Sequence, residues 1–355
     1  MRTPDHQQQN LFFYFSAESR VPKDHPLRPL KGLVEECLKS LDEQFAKMYS
    51  PIGRPSIPPE RLLKALLLQV IYSIRSERAL IEHLDFNILF RWFVGLSIAE
   101  PVWNHSTFSK NRDRLIEADI AVSFLSKVIE KADAEGLLSK DHFSVDGTLL
   151  EGWASLKSFR PKDEPPASSG GRNPEVNFHG ETRSNATHAS KTDPETRLAK
   201  KGKGKEARLC YSGHLLTENR NGLVVNTEVT ITSGTCEREA AARMLEETTG
   251  NRRVTVGADK GYDTLGFVQK CRKMKVTPHV AQKSKDSAID GRTTSHAGYG
   301  LSQRCRKRIE EVYGWMKTVG CLRKLRHRGL EKIQWVFTFA AAGYNLVRLR
   351  NLGIA

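Results

Sequence analysis

Hydrophobic periodicity changes once along this chain, near Asp141, and that change limits the folds open to it. Upstream, apolar residues recur at helical spacing. Leu33, Val34, Cys37, Leu38, Leu41 and Phe45 mark a helix within Leu30–Tyr49. Pro59 opens a second, where its missing N–H costs nothing, and the dense run LLKALLLQVIYSI predicts a buried place in a bundle. Ser76, with Ala79 three residues on, begins a further helix to about Phe93. NHSTFSKNRDRL, Asn104–Leu115, reads as a capped helix start carrying Lys110, Arg112 and Arg114, and an amphipathic helix follows to near Gly136. Residues 1–138 thus read as an all-helical N-terminal domain. Its basic helix could touch nucleic acid in helix-turn-helix fashion, although short helices of this kind occur in many folds.

Downstream, the β-type runs His142–Thr148, Leu209–Thr217, Leu223–Ile231, Arg253–Ala258 and Val276–Val280 alternate with helical stretches at Cys236–Thr248 and Thr264–Met274. Asn221-Gly222 is a hairpin signal between the second and third runs. This order predicts an α/β fold over residues 139–330, a mixed sheet with helices on its faces, and a last helix within 331–355 packed on it. A stretch at about 155–208, rich in Lys, Gly, Pro, Ser and Asn, interrupts the sheet as a long basic loop or flexible insertion. It is a solvated linker or a nucleic-acid contact.

Charge narrows the partner. Lys and Arg outnumber acids 56 to 41, a formal net charge of +15, which suits an anionic partner and nucleic acid before a membrane surface. A generally basic protein is the plainer alternative. The six cysteines form no CxxC pair and no zinc-type spacing, as expected of reduced thiols. The longest apolar run, Leu62–Ile74, is short and interrupted by Lys64 and Gln69, and the amino terminus lacks a secretion pattern. A soluble, cytoplasmic protein without a membrane partner is expected.

Ser302–Gly320 reads as one amphipathic helix with Ser302, Cys305, Ile309, Val312, Tyr313 and Met316 on a packing stripe. Gln303, Arg306, Glu310 and Lys317 share the flank of that stripe, and Glu311 points away. A lone acid there would be an ordinary surface residue. Two others change its standing: Asp146 at the end of a strand in SVDGT, and Asp259 just past the strand VTVGA, followed by Lys260 and Gly261. Three acids in the order strand, strand, helix, inside a basic chain, suit two-metal phosphoryl transfer. Hard carboxylate oxygens hold Mg²⁺ or Mn²⁺, and Arg306 and Lys317 would bind phosphate. A Gly-rich phosphate loop and a GxSxG elbow are both missing from the sequence, which removes ATPase and α/β-hydrolase readings.

These residues carry a resemblance. SVDGT at Asp146, VGADKGYD at Asp259 and RKRIEEVYGWMK around Glu310 resemble a bacterial insertion-sequence DDE transposase of the insertion sequence 5 group, with an InsH-like layout. That group's third motif runs Tyr, two residues, Arg, three residues, Glu, six residues, Lys. Arg306, Glu310 and Lys317 match its last three members in spacing, and Gln303 stands at the Tyr position. GRPSIPPERLLKALLLQVIYSIRSERALIEHL and DPETRLAKKGKGKEARLCYSGHLLTE also resemble the group, so the likeness spans roughly 50–350.

The resemblance implies an RNase H-like catalytic domain preceded by a helical domain that binds DNA ends. Asp146, Asp259 and Glu310 would hold two Mg²⁺ or Mn²⁺ ions, and water would free 3′-hydroxyls that attack target DNA. Double-stranded DNA, as inverted repeats and target, would be the partner, and a homo-oligomer would pair the ends. A captured transposase acting as a repressor, or a nuclease without strand transfer, would carry the same features. Lys260 is a phosphate contact or a solvated turn residue, and Arg323, Lys324, Arg326 and Arg328 form an expected backbone-binding patch. Asp263 is expected to cap the helix after it. Trp315 would stack on a flipped base or pack under a loop.

Overall fold

Caps and prolines punctuate the helical half much as the sequence requires. The computed structural model describes residues 16–50, 52, 56–162, 183–202, 204–250 and 252–354. The apolar patch at 11–15 lies outside them. Among the described residues the first half holds α1 (Ala17–Arg20), α2 (Leu27–Lys39), α3 (Asp42–Met48), α4 (Pro59–Ile71), α5 (Glu77–Phe86), α6 (Ile88–Val94), α7 (His105–Glu117) and α8 (Ile120–Ala134). Ser76 caps α5 by accepting from Ala79 N, and Asn104 caps α7 by accepting from Ser106 N. The single helix expected to Phe93 is two. Asn87 ends α5 and its side chain accepts from Leu89 and Phe90 N–H to start α6, which stops at left-handed Gly95.

The second half builds one mixed sheet. Its main strands are β1 (His142–Glu151), β5 (Arg208–Glu218), β6 (Val224–Ile231), β7 (Val254–Ala258) and β8 (Val276–Val280), with β2 (Phe159–Pro161), β3 (His188–Ser190) and β4 (Arg197–Ala199) coming between β1 and β5. β6, β5 and β1 pair antiparallel, and β7 and β8 add parallel to β1. Counting these main strands in chain order gives third, second, first, fourth, fifth, which is the RNase H-like arrangement. The hairpin at Asn221-Gly222 is present, with Gly222 at positive φ. The stretch expected as one long loop is partly sheet: β2 pairs β3, and β4 pairs β5 at Arg208–Cys210. Residues 163–182 lie outside the described part.

Helices α9 (Cys236–Thr249) and α10 (Leu265–Lys273) cover one face of the sheet, where Phe143, Val145, Met244, Val256 and Phe267 share a core. After β8 come α11 (Gly291–Thr294), α12 (Ala297–Cys305), α13 (Arg308–Thr318) and α14 (Leu330–Asn351). The helix expected across Ser302–Gly320 is therefore two. Around Arg306 and Lys307 the bonds shorten to the i−3 pattern, with Lys307 N on Arg304 O and Ile309 N on Arg306 O. The backbone angles stay helical there, and the tighter bonds separate the two helices.

α14 belongs to two cores. Trp335, Phe339, Ala342 and Leu346 pack with the helical half, while Ile333, Phe337, Ala340 and Ala341 pack with Leu150, Tyr211 and Leu215 of the sheet. Its polar side chains also close the outer edge of β6: Asn345 accepts from Val224 N and donates to Val224 O, at 2.8 and 2.7 Å. An open edge would otherwise invite pairing with another chain.

Candidate active site

The site grows from the β1–β7 pairing. Parallel register sets Ser144 opposite Gly257, so Asp146 comes level with Asp259, which lies just past the end of β7; Asp146 itself was expected to end its strand but stands mid-way along β1, which stays paired to β5 as far as Glu151. Alternation puts both on the face that α12 and α13 cover. Gly257 makes this covering possible. A Cβ there would stand 3.2 Å from Ser302 O and 3.6 Å from Arg306 Cβ.

Each aspartate is held by its own backbone. Asp146 accepts from Gly147 N at 2.9 Å, and Asp259 accepts from Gly261 N at 2.7 Å, which caps the turn that follows. Gly261 must lack a side chain, because its Cβ would fall 2.9 Å from Asp259 Oδ1. Burial, joined by the negative charges of Asp259 and Glu237, pushes the Asp146 carboxyl up to about 6 against the pull of the Gly147 N–H and Arg306. This is a cluster of negative charge short of cations.

Above the strands, α12 and α13 are tied down by polar contacts. Gln303 donates from Nε2 to the carbonyls of His279 and Ala258, so the residue at the Tyr position anchors α12 to the ends of β7 and β8. Ser302 Oγ meets His279 Nδ1 at 2.7 Å. Arg306 ends α12 beside Asp146, and its Nε is buried with no partner among the described residues. In α13, Tyr313 Oη donates to the carbonyl of Asp146 at 2.7 Å, and Lys317 Nζ donates to Thr148 Oγ1 at 2.5 Å. Burial, with Lys201 and Arg323 nearby, lowers the Lys317 pKa.

Glu310 is exposed in the first turn of α13, one turn before Tyr313. It is on the helix that covers Asp146, but among the described residues no three His, Cys, Asp or Glu side chains converge tightly enough to hold an ion as they stand. Across the sheet, Glu237 from the first turn of α9 lies exposed over Gly147. Tyr262 lies beneath the site, with a hydroxyl that is buried and without a partner among the described residues. Neither was foreseen. Glu237 looks in sequence like any acid at a helix start, and Tyr262 like a core aromatic. Hard carboxylate donors on two adjacent strands, with excess negative charge, are the chemistry a divalent cation takes.

The other expected contacts divide. Lys260 is exposed in the turn after Asp259, and Arg323, Lys324 and Arg328 are exposed. Lys324 reaches Glu151 at 3.6 Å and lies over the Trp153 ring. Arg326 differs: half-buried, it donates to the carbonyls of Ile74 and Arg75 and so clips this loop to the helical half. Asp263 does not cap α10, since Thr264 holds that position. It is buried, and its carboxylate accepts from Lys283 N, Ala288 N and Ser287 Oγ, pinning the loop after β8. Trp315 packs edge-on against Tyr344 of α14, in place of a loop or an open surface.

An RNase H-like sheet with one aspartate on its first main strand and another just past its fourth suits the DDE class of transposase fold. Residues 140–346 match the family described as transposase DDE domain, and residues 15–114 match the transposase domain (DUF772). The first match spans more than half of the chain, and the chain belongs to the DDE transposase family. It is therefore a transposase by family, of the kind that acts in transposition and DNA recombination. No curated protein matches it significantly. Among solved structures it is similar to a piggyBac transposase synaptic complex with hairpin DNA, at 9% identity and a TM-score of 0.43, over 93% of this chain and 76% of that one. A pre-cleavage Mos1 transpososome is also similar, at 9% identity and a TM-score of 0.21, over 94% and 92% of the two chains. No described helix is long and apolar enough to cross a membrane.

Proposed function

We propose that this chain is the transposase of an insertion sequence of the insertion sequence 5 group. In this reading it binds the terminal inverted repeats as double-stranded DNA, cuts them and joins the freed 3′-hydroxyls to target DNA. The observation that carries the reading is that Asp146 on β1 and Asp259 just past β7 come level on adjacent strands beneath α12 and α13. Two Mg²⁺ or Mn²⁺ ions, held by Asp146, Asp259 and Glu310, would supply an activated water and stabilise the leaving oxygen.

The chain's own residues do the rest. Asp146 and Asp259 keep their oxygens fixed through the N–H groups of Gly147 and Gly261. Arg306 and Lys317, half-buried and without a carboxylate within ion-pair distance among the described residues, would hold the phosphate being cut and its neighbour. Lys260, Arg323, Lys324 and Arg328 would track the DNA backbone, with Arg326 serving first as a structural clip. Glu310, on the helix that covers Asp146, would join the acid set when DNA and metal bind. Residues 1–138 would bind the DNA ends, 139–330 would carry the chemistry, and 331–355 would complete the packing. A homo-oligomer would bring two ends together in the bacterial cytoplasm, at the nucleoid.

The test is a Mg²⁺-dependent nicking and strand-transfer assay on labelled inverted-repeat DNA. Wild type is expected to nick and join, and Asp146→Ala, Asp259→Ala and Glu310→Ala to do neither. Cutting that persists in Asp146→Ala refutes the assignment. Nicking without joining by wild type would reduce the protein to a nuclease.

A further inference from the structure

Arg308 opens α13 and reaches across to the turn between β5 and β6. Its Nη1 donates to the carbonyls of Asn219 and Arg220, at 2.9 and 2.5 Å. Its stem lies over Gly222, where an added Cβ would stand 3.6 Å from Arg308 Cβ. Asn219 is itself fastened to β1. Its backbone N–H donates to His142 O at 2.9 Å, its Nδ2 donates to Phe143 O at 3.2 Å, and its Oδ1 accepts from Ser144 Oγ at 2.6 Å. Through this one residue Arg308 ties the start of α13 to β1, two residues before Asp146.

Two contacts further along α13 complete a series. Tyr313 donates to Asp146 O and Lys317 to Thr148 Oγ1, so Arg308, Tyr313 and Lys317 meet β1 at the levels of Ser144, Asp146 and Thr148. The helix rises about 7.5 Å and then about 6 Å between these residues, and each pair of strand residues rises about 6.6 Å, so helix and strand run in step. Roll is fixed as well. At about 100° per residue, Arg308 and Lys317 stand on opposite flanks of α13, and rotating the helix would break one contact or the other. Glu310, one heptad before Lys317, falls within about 20° of it, on the flank from which Lys317 reaches β1.

We propose that Arg308 is a positioning residue for the third carboxylate. By fixing the slide and roll of α13 against β1, it sets where Glu310 meets a metal held by Asp146 and Asp259. The inference rests on the metal-dependent reading proposed above.

Mn²⁺ binding to the full-length protein on pre-cut inverted-repeat DNA, followed by electron paramagnetic resonance with Mg²⁺ competition, separates the two ideas. Wild type is expected to bind Mn²⁺, and Glu310→Gln to bind it more weakly. Arg308→Gln should weaken binding by about tenfold, the low end of the cost of losing a residue that orients a ligand, and Arg308→Lys should recover part of it. Removing a positive charge would by itself tighten Mn²⁺ binding, so a loss reports position. In a Glu310→Gln background, Arg308→Gln should change binding by less than about twofold, because the group it positions is gone. Arg308→Gln that matches wild type, or that loses as much in the Glu310→Gln background, overturns this proposal and leaves the metal reading standing. Glu310→Gln that binds like wild type, or a wild type that binds no Mn²⁺, overturns the assignment of Glu310 and this proposal with it. If Arg308→Gln does not fold, Arg308→Lys decides: a several-fold loss that vanishes in the Glu310→Gln background supports the proposal, and any other result overturns it.

Discussion

Glu218 is the sharpest single point at which to perturb how this fold positions its site. It ends β5, it is fully buried, and its carboxylate accepts four backbone N–H groups. Oε2 takes Ser139 and Arg220 at 3.0 and 2.7 Å, and Oε1 takes Asn221 and Leu223 at 2.7 and 3.0 Å. Ser139 follows α8, so one side chain joins the helical half to the β5–β6 turn. Glu218 also stands opposite Phe143, three residues before Asp146. Removing the carboxylate by Glu218→Ala strands four donors, each worth about 1–3 kcal/mol when buried and unpaired. With water reaching half of them, the expected loss is about 2–6 kcal/mol. Glu218→Gln keeps the shape, but its amide N–H₂ faces two donors. Two charge-assisted bonds at about 1.5–3 kcal/mol each are then lost, so Gln should rescue little. Urea unfolding gives the totals, and hydrogen exchange at Ser139, Arg220, Asn221 and Leu223 locates them. A Gln variant within about 1 kcal/mol of wild type would show that the four contacts do not hold the junction.

Three further outcomes follow from other parts of the molecule. Gly213→Ala should cost about 1–3 kcal/mol through overpacking, since the added Cβ would lie 2.8 Å from Phe337 Cε2 and 2.9 Å from Leu150 Cδ1; Gly234→Ala, with nothing within 4 Å, is the control, and equal unfolding midpoints would contradict this. Lys317→Met should leave the free protein as stable as before but reduce the slope of log affinity against log salt by about 0.9, the share of one phosphate contact; an unchanged slope on inverted-repeat DNA removes Lys317 from the DNA path. His214 is fully buried, and burial lowers its pKa to about 4. The folded state refuses a proton that the unfolded state accepts, so this group's contribution is complete above pH 6.5 and is lost as pH falls toward 4. The difference amounts to about 3 kcal/mol. His214→Gln should lose less stability than wild type between pH 7 and pH 4.5, and parallel losses would refute the assignment.

Local chemistry carried much of the fold into the sequence. The caps at Ser76 and Asn104, the hairpin at Asn221-Gly222 and the change of period near Asp141 are short-range properties, set by backbone hydrogen bonding and by which face of an element is buried. The two aspartates were legible as strand-borne for the same reason, because strand, acid and glycine are neighbours along the chain, but that β1 runs on past Asp146 to Glu151 was not. The joint at Arg306–Lys307 was not, since residues on both sides keep helical angles and helical spacing, while α12 packs on Gly257 and α13 bonds to Asp146, contacts far apart in the chain. Asp263 was misread because an Asp before a helix looks like a cap, and its real partners lie twenty or more residues further on. By itself the sequence determined that a helical half precedes a mixed sheet and that Asp146 and Asp259 belong to two of its strands or their ends. The tertiary structure alone decided that β2, β3 and β4 form within the basic insertion, that α14 serves two cores, and that Glu237 rests on Gly147 beside Asp146. Those contacts depend on sheet register and on which helix covers which face, and no periodicity in the sequence encodes a meeting between residues ninety positions apart.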